Sequence, residues 1–201
     1  MIVRAHRVNY ARRQQYRRLS RAGEAGIGAA GTALLGLWAA SMSAAPVAVC
    51  LLIVAAALGL CARHWLSLAR RSAVGARSED AVQRALAPLQ ADGWRLRHSL
   101  PWRGRGDIDS VAIAPNGIAI AIEIKTRTYD APHLARVREQ AAWLTRRRRR
   151  WARNGTFGVV CLVRARGIER VEHDVLVVSI DRLTHVLRVA AGMGPGARSS
   201  A

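Results

Sequence analysis

GDIDSVAIAPNGIAIAIEIK, residues 106–125, consists of two alternating runs on either side of Pro115-Asn116-Gly117. That is the pattern of a β-hairpin. Pro at the first loop position, Asn at the second and Gly at the third fit a three-residue loop, a type I turn closed by a left-handed Gly. Such a loop pairs Ala114 with Ile118, so that paired residue numbers sum to 232. Asp109 then faces Glu123, Asp107 faces Lys125, and all four side chains share one face of the sheet. A two-residue Asn-Gly loop would shift the sum to 233 and send Asp109 to the opposite face. The choice of loop therefore makes or destroys a site.

On the three-residue reading, the site-bearing face carries Val111, Ile113, Ala119 and Ala121. The other face carries Ile118, Ile120, Ile122 and Ile124, a bulky wall expected to pack on a helix. Two carboxylates opposed across a strand pair repel unless a cation lies between them. Hard oxygen donors select Mg²⁺ or Mn²⁺ over zinc. Glu79, read in the first turn of the preceding helix, is a candidate third carboxylate.

Lys125 stands out by composition. The 201-residue chain has 32 Lys+Arg against 13 Asp+Glu, a formal charge of +19, and Lys125 is its single lysine. Lysine is a compact charge that can lose its proton when desolvated, whereas arginine effectively cannot. A lone lysine two residues after Glu123 therefore reads as chemistry, suited to positioning water or stabilising a charged phosphorus centre. The ordinary alternative is a strand-end charge.

Outward from the hairpin, charge divides the chain. Residues 1–71 hold one carboxylate, Glu24, so chemistry that needs carboxylates belongs after residue 72. Ala25 to Ala62 contains no charged side chain. A single helix through that run would be nearly twice the roughly 30 Å hydrocarbon thickness, so two short spans, about 24–42 and 46–64, are expected, with the break near Pro46. Arginines flank both ends, which puts both termini on the cytoplasmic side. Gly26, Gly28, Gly31 and Gly36 suit close helix packing or self-association. Segment 1–23 reads as a basic cytoplasmic leader, 65–74 as a juxtamembrane linker and 191–201 as a disordered tail.

The rest predicts an α/β domain over 75–190. Its elements are a helix at about 79–90 capped by Ser78, strands at 94–100, 107–114 and 118–125, a helix from 132 to about 150, and strands at 156–163 and 175–179. A closing helix over 181–189 completes it. Arg146, Arg147, Arg148, Arg149 and Arg150 form a basic run beside Trp143 and Trp151. That run suits nucleic-acid phosphates, lipid headgroups or plain solvation equally well. The scattered histidines read as ordinary, and Cys161 as a core residue. With three cysteines (Cys50, Cys61, Cys161), no disulfide framework or zinc site is supported.

Asp109, thirteen residues, then Glu123-Ile124-Lys125 resembles the core motif of the PD-(D/E)xK nuclease superfamily. Together with Gly75-Ala76-Arg77-Ser78-Glu79 and Pro115-Asn116-Gly117 it resembles the nuclease-related domain, NERD. The resemblance spans about residues 75–165 and includes Gln140. It implies a restriction-endonuclease-like α-β-β-β-α-β core, a mixed sheet flanked by helices, here preceded by a two-helix transmembrane hairpin. It implies Mg²⁺ or Mn²⁺ held by Glu79, Asp109, Glu123 and the carbonyl of Ile124. Lys125 would position or activate the attacking water, and Gln140 would support Lys125 or a phosphate. Ser78 and Ser110 depart from the family, which usually has glycine and often histidine there.

The expectation is a membrane-anchored, metal-dependent nuclease hydrolysing DNA, with RNA not excluded, on the cytoplasmic side of a bacterial membrane. The alternative is an inactive nuclease fold that tethers DNA or a protein partner at the bilayer.

Overall fold

The computed structural model describes residues 10–104 and 106–192, with backbone alone for residues 10–13. Residues 193–201 of the tail read as disordered, and residues 1–9 of the leader, lie outside the described residues, whereas Ala191 is buried at the end of the closing helix. The chain forms two compact units that divide between Ala76 and Arg77.

The first unit is built from α1 (Tyr10–Ser41) and the front of α2 (Ala45–Leu86). The chain reverses at 42–44, where Ser43 adopts φ 61°. Small residues let the helices meet: a Cβ added at Gly36 would lie 3.2 Å from Leu52 Cγ. Nearer the helix ends, Arg18 donates to the Leu68 carbonyl at 3.0 Å and to Ser72 Oγ at 2.5 Å. Arg21 lies 4.8 Å from the Trp65 ring centroid. Among the described residues one helix, Ala45–Gln90 with its short 3₁₀ continuation, is long and apolar enough to cross a membrane. Ile27, Leu34, Trp38, Ile53 and Leu60 are exposed large apolar side chains on these helices.

Residues 65–74 are helical, within α2, and the basic leader is helical from Tyr10. One expectation is corrected here. Ser78 caps nothing, because it lies inside α2, buried, with its Oγ 3.3 Å from Thr126 Oγ1. Between Arg70 and Leu86 the only helix-weakening residue of note is Gly75, and one glycine costs about 1 kcal/mol, too little to break a helix that is packed on either side.

In the second unit a 3₁₀ turn (Ala87–Gln90) leads into a six-stranded sheet. The strands are β1 (Arg95–Pro101), β2 (Asp107–Ile113), β3 (Ala119–Lys125), β4 (Thr156–Leu162), β5 (Glu169–Glu172) and β6 (Val175–Ser179). Their spatial order is β1-β2-β3-β4-β6-β5, with β3-β4 and β4-β6 parallel and the other pairs antiparallel. Helix α3 (Ala131–Arg147) crosses from β3 to β4, and α4 (Ile180–Ala190) follows β6. This is the mixed α/β architecture expected.

The two sheet faces separate as the alternation predicts. Ile120, Ile122 and Ile124 pack with Val82 and Leu86 of α2 and with Leu183, Val186 and Leu187 of α4. Val111, Ile113, Ala119 and Ala121 pack with Ala141 and Leu144 of α3. The small residues Ala119, Ala121 and Gly158 let α3 approach closely. A Cβ at Gly158 would fall 2.5 Å from Val137 Cγ1.

Strand β5 escaped the sequence reading. It is polar, largely exposed and at the sheet edge, so no hydrophobic period marks it. Its hairpin to β6 turns on His173 and Asp174, both at positive φ (49° and 62°), a primed turn without the usual glycine. Cys161 is fully buried, and desolvation, followed by the charge of Asp181, pushes its thiol up to about 12. Maleimide is therefore expected to label Cys161 only after the domain unfolds. Labelling of Cys161 at native rates, read by mass spectrometry, would contradict this packing.

Candidate active site at the open end of the hairpin

The β2–β3 register is the one that makes a site. Ser110 pairs with Ile122, Val111 with Ala121, Ala112 with Ile120 and Ile113 with Ala119, each pair summing to 232. The loop closes through Gly117 N–H to the Ala114 carbonyl, 2.9 Å, and Ala114 N–H to the Ile118 carbonyl, 2.9 Å. Gly117 takes φ +86°, the left-handed position that the loop type demands.

Backbone pairing between these strands ends at Ser110 and Ile122. One step further, Asp109 Oδ2 accepts the Ile124 N–H at 2.8 Å. In continued register that N–H would face the Ile108 carbonyl, so the carboxylate stands in for a ladder bond where the strands part. Asp109 is thereby anchored beside Glu123. Burial first, then the charges of Glu123 and Glu79, push its carboxyl up to about 8, against the opposing effects of the Ile124 N–H and Lys125. Glu79 and Glu123 thus both act on Asp109 across space, although they are 44 residues apart in sequence.

Glu123 is nearly fully buried, 4% exposed. Its Oε1 lies 2.9 Å from Lys125 Nζ, and its Oε2 lies 3.9 Å from Arg136 Nε without a hydrogen bond. The Arg136 guanidinium sits 5.6 Å from the Trp102 ring centroid. Gly106 makes room for it, since a Cβ there would stand 3.4 Å from an Arg136 terminal nitrogen. Gln140 follows Arg136 by four residues on the same face of α3. It is fully buried, and neither end of its amide is hydrogen-bonded. Unsatisfied polar atoms this deep cost stability and point to a place that water, an ion or a ligand completes.

Asp109, Glu123, Ile124 and Lys125 therefore share one sheet end, with Glu79 close enough to act electrostatically and Gln140 in the layer above. Asp107 is half-buried at the start of β2, paired with Pro101. Among the described residues no three His, Cys, Asp or Glu side chains are drawn together tightly enough to hold a metal ion.

The arginine run lies elsewhere. Helix α3 ends at Arg147, short of Arg150, and Arg148 closes it in a non-helical conformation. Arg148 then lies between two rings, 5.9 Å from the Trp143 centroid and 5.1 Å from Trp151. Thr145 Oγ1 contacts Thr156 Oγ1 at 2.7 Å, which puts this end of α3 at the start of β4. Lys125 is at the opposite end of the parallel strands, roughly 20 Å away at about 3.3 Å per residue. The exposed Arg146, Arg147 and Arg149 line a cleft of about 710 Å³ with Arg103 and Trp143.

Sequence reasoning missed Arg136 and Trp102. Arg136 hides among many arginines. Its spacing of four from Gln140 was the available signal, since residues i and i+4 share a helix face.

The mixed sheet thus presents two carboxylates and one lysine where β2 and β3 part. The family model described as NERD, nuclease-related domain, matches residues 74–157. The match covers less than half of the chain, from the last turns of α2 to the start of β4, and that stretch is similar to the nuclease-related domain. No curated protein and no solved structure gives a match.

The raised Asp109 pKa carries a sign that can be checked. The folded state holds this proton up to about pH 8 and the unfolded chain releases it near 3.8. The folded form therefore binds more protons across that window, and its stability falls as pH rises from about 4 to about 8. In chelator, Asp109→Asn is expected to flatten this decline in denaturation midpoints. An unchanged slope would contradict the carboxylate crowding.

Proposed function

We propose that this chain is a divalent-cation-dependent nuclease that cuts DNA at the membrane surface. The observation that carries the reading is Asp109 and Glu123 held together beside Lys125 where β2 and β3 part, with Glu79 near enough to raise the Asp109 carboxyl and Glu123 Oε2 buried and unbonded. The donors are hard oxygens crowded by like charge, which suits Mg²⁺ or Mn²⁺.

Glu79, Asp109, Glu123 and the Ile124 carbonyl would hold the cation, which supplies a Lewis acid that offsets charge developing on the phosphate. Lys125, oriented by Glu123, presents its ammonium where an attacking water is held and a phosphate oxygen gains charge. Gln140 supports Lys125 or the phosphate from α3. The water oxygen bonds to phosphorus as the bridging P–O bond breaks, and a proton leaves with the departing sugar oxygen.

The one described helix long and apolar enough to cross a membrane, α2 with its 3₁₀ continuation, supports a bilayer anchor, and the exposed Ile27, Leu34 and Trp38 of α1 favour a hairpin in which both helices cross. The flanking arginines favour both termini and the nuclease domain on the cytoplasmic side of a bacterial cytoplasmic membrane. Close approach of α2 at Gly28 and Gly36 leaves Gly26 and Gly31 of α1 for self-association. A second reading, an inactive fold that tethers DNA or a protein partner, draws on the Lys125 and Arg136 contacts to Glu123, which occupy it without a cation.

Full-length protein in nanodiscs, incubated at low salt with supercoiled DNA, single-stranded DNA and RNA, separates the two. Nicking in Mg²⁺ or Mn²⁺ but not in chelator is expected. DNA binding without cutting under every cation would favour the tether.

A further inference from the structure

A second basic surface lies at the same sheet end as Lys125, and it is outside the arginine run. Arg127 follows Lys125 by two residues. The chain leaving β4 is tied to that segment by Val163 N–H to the Lys125 carbonyl and Arg164 N–H to the Thr126 carbonyl, both 2.9 Å. Arg164 is therefore fixed beside Arg127 by backbone bonds, not by a flexible loop. The turn beyond is pinned as well. Gly167, at φ +65°, donates to Asp181 Oδ2 at 3.2 Å, and Ile168 N–H donates to Ser179 Oγ at 3.0 Å.

Arg127, Arg164 and Arg166 line a groove of about 540 Å³ with Asp181. All three are exposed, and among the described residues none has an ion-pair or hydrogen-bond partner for its guanidinium. The contrast with other arginines of the unit is instructive. Arg170 bonds Tyr129 and Glu172, Arg188 bonds Asp92, and Arg148 is sandwiched between tryptophans. Asp181 is the groove's one acid, and it is committed to holding the Gly167 turn. The groove therefore keeps an excess of two positive charges on a rigid frame. Arg164 and Arg166 lie beyond the family match, which ends at residue 157.

We propose that this groove holds the phosphates of a nucleic-acid strand next to the bond at Lys125, while the Arg146–Arg149 run at the far end of α3 is not the strand's immediate seat. The proposal rests on the nuclease reading for the identity of its ligand. Three unpaired guanidiniums on a fixed edge match a polyanion whose charges recur at short intervals. Neutralising phosphates releases counterions, so each engaged arginine adds about one unit to the salt slope.

The test uses the full chain in neutral nanodiscs, in chelator so that cleavage plays no part. Anisotropy of a labelled DNA duplex and single strand is followed against salt. Arg127→Gln/Arg164→Gln/Arg166→Gln is expected to lower affinity at least about tenfold and flatten the slope of log K against log salt by about two to three. Arg146→Gln/Arg147→Gln/Arg149→Gln, with equal charge loss, is expected to have the smaller effect. A lysine version of the groove triple, which keeps charge, should recover most of the binding and controls for folding alongside an unchanged melting temperature. If the triple does not fold, Arg164→Gln alone is expected to lower the slope by about one.

An unchanged slope in the groove variant overturns the proposal, as does a larger loss from the distant triple. Loss of binding to phosphatidylglycerol vesicles with DNA binding intact would assign the groove to lipid and overturn it too. Groove-dependent DNA binding by a protein that cuts nothing in Mg²⁺ or Mn²⁺ would support the groove and remove only the nuclease reading.

Discussion

Glu123→Gln is expected to abolish cation-dependent DNA cleavage, lowering the rate by about 10³-fold or more. The substitution keeps the shape of a side chain that is 4% exposed and leaves an oxygen for Lys125 to bond. It removes one of two carboxylates that face each other where β2 and β3 part. In chelator it is not expected to destabilise the fold, because the charge that adds most to burial in raising the Asp109 carboxyl is gone. The rise in melting temperature that Mg²⁺ gives the parent protein should vanish at the same time. Loss of cleavage with retained folding and lost cation response identifies a ligand. A variant that cuts within about threefold of the parent rate would remove Glu123 from the chemistry.

The second large effect is on stability. Gly158→Val is expected to cost about 3 kcal/mol and to abolish activity with it. Gly158 sits on β4 under α3, where a Cβ alone would fall 2.5 Å from Val137 Cγ1 and 3.2 Å from the Val137 carbonyl. The second contact is with backbone, so no change of rotamer relieves it. Helix α3 must lift away from β4, and with it go Arg136 above Glu123 and the buried Gln140. The denaturant midpoint should fall with little change in its slope. A midpoint within error of the parent would contradict the close approach of α3.

The hairpin was legible from Pro115-Asn116-Gly117, and the three-residue loop the structure adopts, over the two-residue alternative, fixes the register of both strands. Asp109, Glu123 and Lys125 follow from that register, and the single lysine marks their end of the sheet. What was not legible depends on partners remote in sequence. Ser78 looks like a helix cap until packing around it carries α2 through without a break. Strand β5 has no apolar period because it lies at the edge, and its turn uses His173 and Asp174 where glycine would have announced it. The arginines defeat pattern reading altogether. In so arginine-rich a chain the local signals, the tryptophans beside Arg148 and the spacing of four from Arg136 to Gln140, are too weak to sort these from the unpaired Arg164. Only the fold sorts them, by fixing which end of the sheet each one occupies.

The central claim is that Asp109 and Glu123, with Glu79, form one cation site, and direct binding tests it without reference to cleavage. Mn²⁺ titrated into the full-length protein, with free Mn²⁺ followed by electron paramagnetic resonance, is expected to reveal a site lost in Asp109→Asn and in Glu123→Gln. Parent protein that binds no Mn²⁺ at millimolar concentration, or binding that both variants retain, would contradict it.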